Sequence, residues 1–238
     1  MRNIVRKILV VVILGVLVMD IFGCGQFASN EEVAKELLKK EYNEEFEIEK
    51  VVSVSLLDGY YTVIAYPVEK PELMFTARIN SDGSGEGDNY LSKLKCQELS
   101  DKMAQNMDGL DGLYYVYTEP LYDPVIKEKE ITLEEYISTN PDRLYNVYLV
   151  IDPQQKDIEK SYKLISGMCK GLGQLNLNIM LYAADENGLK EICNYMENHD
   201  IVYDDFDHSG GQYYKDSFKY KKGVIDITVE EFAKMLRG

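Results

Sequence analysis

Hydrophobic and polar positions alternate with two different periods along the chain, and the change of period separates its first elements. A helical spacing of three and four residues comes first, on Val33, Ala34, Leu37, Leu38 and Tyr42. Ser29 and Glu32 stand at the spacing of a capping box, which predicts where this helix begins. From Ile48 the period becomes two, and this alternation predicts a β-strand.

The first half continues with further strands and a second helix. Asp58-Gly59 predicts a hairpin turn, and two more strands are predicted between residues 60 and 79. A glycine-rich acidic loop, Ser81–Asp88, then leads into a helix over about residues 89–107. A strand at Leu113–Thr118 closes this half. The order of elements predicts an α+β unit of one helix, an antiparallel sheet, a further helix and a last strand.

In the second half, predicted strands and helices alternate. Thr132 with Glu135 and Thr228 with Glu231 predict the starts of two capped helices. Between them the predicted elements are a strand at Tyr145–Ile151, a helix from Asp152 to about Lys170, a strand at Leu175–Ala183, a helix at Glu186–Asn198, and strands at Ile201–Phe206, Tyr213–Tyr220 and Val224–Ile227. This order predicts alternating α/β-type packing in the C-terminal half. The predicted fold class of the whole chain is therefore α+β.

The longest apolar run, Ile8–Met19, follows a basic start and is too short to span a bilayer. It has twelve residues and Asp20 interrupts it, whereas spanning needs about 20 apolar residues. A short apolar segment behind a basic start is typical of a secretory signal peptide. Ile21-Phe22-Gly23-Cys24 resembles the bacterial lipoprotein box, in which the cysteine is acylated, for example with palmitate. We therefore expect lipid attachment at Cys24; an uncleaved anchor or an ordinary cleaved signal are the alternatives.

These segments predict a chain of five parts. They are a lipoprotein signal peptide at residues 1–23, a tether at 24–30, an α+β domain at 31–119, a linker at 120–130 and a second α/β domain at 131–238. The linker is predicted from Pro120, Pro124 and a Lys-Glu-Lys-Glu run. Whether the two halves fold as one domain or two stays open.

The charge balance argues against nucleic acid as a partner. The formal net charge of the chain is −15, and loss of residues 1–23 removes three basic and one acidic side chain, which leaves −17 on 215 residues. Nucleic-acid binding depends on Lys and Arg that neutralise phosphates, and docking on anionic lipids depends on basic patches. We expect the lipid anchor to hold the chain on the extracytoplasmic face of the cell membrane.

The two histidines of the chain stand among carboxylates and form one candidate metal site. His199, Asp205, Asp207 and His208 supply imidazole and carboxylate groups, which are suitable ligands for zinc or manganese. The structural alternative places His199 at a helix C-terminus, where the helix dipole favours a cation.

The glycine-rich acidic loop is a candidate calcium site. Asp82, Glu86 and Asp88 supply the oxygen ligands that Ca²⁺ prefers, but Lys93 stands at the twelfth position, where an EF-hand has a bidentate Glu. The alternative is a polar turn in which Asp88 or Asn89 caps the next helix. The three acids of this loop would also repel a pyrophosphate, so a nucleotide site is not expected.

Cysteines and tyrosines have structural interpretations. Cys96, Cys169 and Cys193 each fall on the apolar stripe of a predicted helix, which favours core packing. A disulfide between Cys169 and Cys193 is permitted but not indicated. Tyrosines crowd two predicted strands, at residues 114–117 and 213–214, and suit either a recognition surface or half-buried strands.

The sequence contains no G-x-S-x-G, H-E-x-x-H or P-loop motif. We therefore expect no cofactor and a non-enzymatic role, the binding of a protein or peptide partner. The enzymatic alternative is a metal-dependent hydrolase of cell-envelope material centred on His199, Asp205 and His208. A small-solute-binding protein is the third class, for which 215 residues are few to form two lobes.

Leu38, Tyr42 and Phe46 follow a Leu-x-x-x-Tyr-x-x-x-Phe rhythm, and Asp88-Asn89-Tyr90 opens the second helix. With the strands between them, these residues resemble the opening of small uncharacterised lipoproteins from Gram-positive bacteria. The resemblance covers about residues 30–110. It implies a location at the cell surface and no known activity.

Overall fold

The computed structural model describes residues 29–55, 59–121, 130–198, 213–221 and 223–237. In chain order the elements of these residues are α1 (Asn30–Tyr42), β1 (Phe46–Ser55), β2 (Tyr60–Pro67), β3 (Phe75–Asn80), β4 (Gly85–Asp88), α2 (Tyr90–Asn106), β5 (Tyr114–Pro120), α3 (Leu133–Ser138), β6 (Leu144–Ile151), α4 (Ile158–Ser166), β7 (Asn176–Ala184), α5 (Glu186–Asn198), β8 (Tyr213–Lys221), β9 (Val224–Ile225) and α6 (Val229–Met235). They confirm the predicted α+β class.

The first sheet is antiparallel, with the strand order β1-β2-β3-β4. Along β2, buried residues such as Val63 and Ala65 alternate with half-buried ones, so one face of the sheet lies in the core. The buried stripe of α1, which includes Ala34 and Leu38, packs against that face. The predicted hairpin between the first two strands is confirmed, with Ser55 paired to Tyr60.

The second sheet is mixed and has the strand order β5-β6-β7-β8-β9. β6 and β7 run parallel and are connected through α4, which confirms a βαβ unit in this half. The other strand pairs of this sheet are antiparallel. A large core of α2, α3, α4 and α6 residues covers one face, and Leu189 and Ile192 of α5 pack on the other.

The strand predicted at the end of the first unit belongs to the second sheet. β5 pairs antiparallel with β6, from Tyr114 opposite Ile151 to Pro120 opposite Tyr145. The prediction was wrong because the partner strand comes later in the sequence, and local composition does not reveal it. Residues 122–129 of the predicted linker lie outside the described residues, and the division into two domains stays a prediction.

Two further boundaries differ from the predicted ones. α4 begins at Ile158 because Asp157 caps it, its carboxylate accepting from the Lys160 N–H at 2.9 Å. Asp152 instead closes a turn by accepting from the Gln154 N–H at 2.7 Å. β4 occupies half of the predicted glycine-rich loop. Its residues have low β-propensity, and backbone pairing with β3 holds them in a strand. The strand predicted at 201–206 lies outside the described residues.

All three predicted capping boxes are present. In each, the hydroxyl of the N-cap residue accepts the N–H of a glutamate three residues on, and that glutamate's carboxylate accepts the N-cap N–H. The pairs are Ser29–Glu32, Thr132–Glu135 and Thr228–Glu231. These contacts fix the first turns of α1, α3 and α6.

The helix α2 takes part in both cores. Tyr90 and Leu91 at its start lie in the core of the first sheet, and Leu99 and Met103 lie in the large core of the second. α2 therefore joins the two sheets through continuous helix.

Among the described residues, no helix combines the length and the apolarity that crossing a bilayer requires.

Candidate functional site

The three acids of the predicted calcium loop are not gathered at one point. Asp82 is exposed and accepts from the N–H and hydroxyl of Ser84, at 2.9 and 2.6 Å. Glu86 and Asp88 both line a small cavity of about 140 Å³ between α1 and β4, which Asp82 does not line. Within the described ranges, no group of three or more His, Cys, Asp or Glu side chains is placed to hold a metal ion.

Asp88 connects three elements. Both of its carboxylate oxygens accept from the hydroxyl of Tyr42, at 2.8 Å, and one also accepts from the Tyr90 N–H at 2.9 Å. The side chain of Asn89 turns away and accepts from the Thr76 N–H at 2.8 Å. Asp88 therefore accepts the first N–H of α2 from the position before the N-cap, Asn89, whose own side chain makes no capping bond.

Burial raises the pKa of the Asp88 carboxyl above its ordinary value, against the lowering effect of the bonds from Tyr90 and Tyr42. A raised folded-state pKa means that the stability linked to this proton is complete below the unfolded-state pKa, about 3.9. It is lost as the pH rises through the folded-state pKa. Asparagine does not titrate, so Asp88→Asn should remove this pH-dependent loss of stability. We expect the free energy of unfolding of the variant to decrease less between acidic and neutral pH than that of the wild type.

Urea unfolding at a series of pH values measures this effect, and Asp82→Asn is the matched control. Hydrogen bonds from Ser84 lower the pKa of the Asp82 carboxyl, so its contribution is present above the unfolded-state pKa and is lost as the pH falls. The two variants should change the pH profile in opposite directions. An unchanged profile in Asp88→Asn contradicts the assignment.

The other predicted ligands cannot be placed. His199, Asp205, Asp207 and His208 lie outside the described residues, and so does Cys24. The predicted metal site and the predicted lipid attachment therefore stay predictions.

Two of the cysteines pack in the large core, as predicted. Cys96 is a buried thiol whose sulfur lies 3.8 Å from the hydroxyl of Tyr136. Cys169 is a buried, free thiol, so the permitted disulfide with Cys193 is not formed. Burial raises the pKa of the Cys169 thiol to about 12, with a smaller opposing effect from a hydrogen bond with Tyr220. A thiol with so high a pKa is a poor nucleophile at neutral pH.

The tyrosines of β5 are half-buried and do not form an exposed patch. The hydroxyl of Tyr114 donates to the Ala104 carbonyl at 3.1 Å. Tyr117 packs beside Tyr148 with 5.9 Å between ring centroids, and its hydroxyl accepts from the Lys93 ammonium at 3.2 Å. These residues follow the structural interpretation of the tyrosine-rich strand.

A groove of about 510 Å³ lies between α3 and the segment 171–174. Its lining combines apolar residues at the base with polar ones at the edges: Leu133, Ile137, Leu172, Lys102, Glu134 and Gln174. Ile137 and Leu172 are buried, Leu133 is half-buried and the three polar residues are exposed. The groove is therefore an apolar depression with a polar rim.

Local sequence rules explain both walls of this groove. Leu133 and Ile137 are four residues apart on α3 and so lie on one face, directly after the Thr132 capping box. On the opposite wall, Gly171 and Gly173 have φ values of +79° and +76°, which side chains other than glycine rarely adopt. This wall is thus a tight turn with two glycines in the left-handed region of φ, and both glycines are exposed.

A second cluster lies where α2, α3 and β6 meet. The guanidinium of Arg143 stacks 4.7 Å from the ring centroid of Tyr136, and its Nη1 donates to the hydroxyl of Tyr145 at 3.3 Å. The Ser92 hydroxyl lies 3.2 Å from that of Tyr136. Arg143 is only 9% exposed, and no carboxylate of the described residues pairs with it.

The chain is similar in structure to a DUF5037 family protein from Ruminococcus gnavus, known from a crystal structure. The TM-score is 0.62 at 19% sequence identity, and the match covers 87% of this chain and 99% of that one. The two proteins share a fold. At this identity the likeness extends to the fold alone. No protein-family model and no curated protein matches the sequence.

Sequence reasoning missed both the groove and Arg143. Leu133 and Ile137 stand out only as one apolar face of a short helix, and the glycines only as turn residues. Arg143 did carry a signal, since it directly precedes β6, whose residues from Tyr145 to Ile151 are all buried. A charged residue beside such a buried run marks a candidate site.

Proposed function

We propose that the chain is a membrane-tethered extracytoplasmic protein that binds a protein or peptide partner through the groove between α3 and residues 171–174. The groove itself is the observation that carries this proposal. Its volume of about 510 Å³ is within the usual range for ligand sites. An apolar centre with a polar rim is also the common arrangement of protein interfaces.

The lining favours an extended chain with apolar side chains over a small polar solute. Leu133, Ile137 and Leu172 offer apolar contact, and burial of such surface contributes about 25 cal/mol per Å². The rim residues Lys102 and Glu134 carry charges of opposite sign. They therefore suit a peptide backbone, which offers both carbonyl and N–H groups, better than a small ligand with one charge. A partner peptide would place one or two apolar side chains over Ile137.

The N-terminal sequence supports the location. Cys24 lies five residues before Ser29, the N-cap of α1. Five extended residues reach about 17 Å, so a lipid on Cys24 would hold the folded chain close to the bilayer. Partners present at the membrane surface would then be the accessible ones.

Peptide selection against the full-length chain in detergent micelles tests the proposal. We expect apolar peptides to be enriched, and Leu133→Glu to weaken their binding at least tenfold because it places a carboxylate at the base of the groove. A tenfold loss is about 1.4 kcal/mol, and calorimetry with a selected peptide measures it. Val68→Glu is the matched control, since Val68 is 50% exposed and lies outside the groove.

Binding that Leu133→Glu and Val68→Glu weaken equally would reject the groove as the site. Failure to enrich any peptide would reject peptide binding as the function. Circular dichroism checks that both variants remain folded. A variant that is folded but binds more weakly has lost binding and not structure.

A further inference from the structure

Arg143 is a buried cation without an ionic partner among the described residues. Transfer of a guanidinium out of water is unfavourable unless a carboxylate or equivalent acceptors compensate it. The stacking contact with Tyr136 supplies part of this compensation, and the Tyr145 hydroxyl accepts one of five available N–H groups. The arrangement leaves most of the donors of Arg143 unused within the described part of the chain.

The unused donors remain accessible. Among buried side-chain nitrogen and oxygen atoms of the described residues, only Asn176 Oδ1 lacks a hydrogen-bond partner. The remaining nitrogens of Arg143 therefore contact solvent, although the side chain as a whole is nine-tenths buried. Stacking on Tyr136 covers a face of the planar group, and its N–H edge is the part that a ligand can reach.

One hydroxyl stands at this edge, because the Tyr145 oxygen accepts from Arg143 Nη1 at 3.3 Å. That hydroxyl can also donate one hydrogen bond. The Ser92 and Tyr136 hydroxyls lie 3.2 Å apart and bond to each other. The cluster therefore combines one fixed positive charge with one neutral donor, which is a site for an anion.

We propose that Arg143 binds the carboxylate of a small organic monoacid, held edge-on by the guanidinium and assisted by the Tyr145 hydroxyl. The fork of N–H groups matches the two oxygens of a carboxylate. A single cation in a chain of net charge −15 suits one negative charge better than the two of phosphate. This site is separate from the groove, because Arg143 does not line it.

Titration of the full-length chain with acetate, at constant ionic strength set by chloride, tests the site. We expect saturable binding, seen in the NMR signal of the Arg143 Nε–H, that is at least tenfold tighter than binding of phosphate. Arg143→Met should abolish it, and Arg143→Lys should weaken it at least tenfold because the bidentate fork is lost. Tyr145→Phe, which removes only the hydroxyl, should weaken it several-fold.

Arg237→Met is the matched control and should bind acetate as the wild type does, since Arg237 is exposed. Absence of saturable acetate binding by the wild type overturns the proposal, whatever the fold of the variants. Tighter binding of phosphate overturns the carboxylate class, and undiminished binding by Arg143→Met overturns the residue. Leu133→Glu should leave acetate binding unchanged, which distinguishes this site from the groove.

Discussion

Replacement of Cys24 with Ala should transfer the chain almost completely from the membrane fraction to the released fraction. Each buried CH₂ of an acyl chain contributes about 0.8 kcal/mol to membrane attachment, and stable anchoring takes two signals. Alanine has no thiol for acylation, so the variant loses the lipid altogether. The formal net charge of −15 disfavours electrostatic attachment to anionic lipids as a substitute.

Cell fractionation and labelling with palmitate measure this result together. Cys96→Ala, which removes a buried thiol of the folded chain, is the control and should keep both the label and the membrane location. If Cys24→Ala stays in the membrane, the uncleaved-anchor alternative is correct. A wild-type chain that is released without label would indicate an ordinary cleaved signal.

Replacement of Phe75 with Ala should destabilise the chain by about 3–5 kcal/mol, the usual cost of removing a fully buried aromatic ring. Phe75 is 1% exposed and lies in an aromatic cluster. Its ring centroid is 5.6 Å from that of Phe46 and 4.9 Å from that of Tyr90. Alanine removes both contacts and leaves a cavity between α1, the first sheet and the start of α2.

Urea unfolding, followed by far-ultraviolet circular dichroism, measures the loss. Val68→Ala is the control, because Val68 is half exposed and surface substitutions usually change stability by less than about 0.5 kcal/mol. A loss in Phe75→Ala no larger than that of the control would mean that the aromatic cluster does not stabilise the first core. Phe75→Leu, which keeps much of the volume, should fall between the two.

The sequence predicts best where the physical cause is local. The capping boxes at Ser29, Thr132 and Thr228 are confirmed because each depends on residues three apart, whose geometry the helix itself dictates. The first hairpin is confirmed for a similar reason, since its strands are joined by a short turn. The parallel pair β6 and β7 is confirmed because a helix stands between them in the sequence.

Features that depend on distant residues could not be predicted in the same way. The strand β5 was grouped with the first unit although it belongs to the second sheet, because its pairing with β6 crosses residues 121–143 of the chain. β4 has the sequence Gly-Glu-Gly-Asp, and only its neighbour β3 makes it a strand. The groove needs Leu133 and Leu172 to meet, and no sequence periodicity connects residues so far apart.

The candidate chemistry shows the same division. Asp88 was singled out by its position in an acidic loop, but that position does not reveal its bonds from Tyr42, which lies 46 residues away. Arg143 is a candidate because its guanidinium stacks on Tyr136 and donates to the Tyr145 hydroxyl, and these contacts depend on the fold. Charge and composition identify which groups are available, and tertiary packing decides which of them act together.

The shared helix α2 also determines a distance. Tyr90 in the first core and Lys102 on the rim of the groove are twelve residues apart on it, which is about 18 Å along the axis. A continuous helix resists bending, so this separation does not vary as it would across a flexible linker. In the proposed function, with a lipid on Cys24 and a partner in the groove, α2 would act as a rigid spacer that sets the distance between the bound partner and the aromatic cluster.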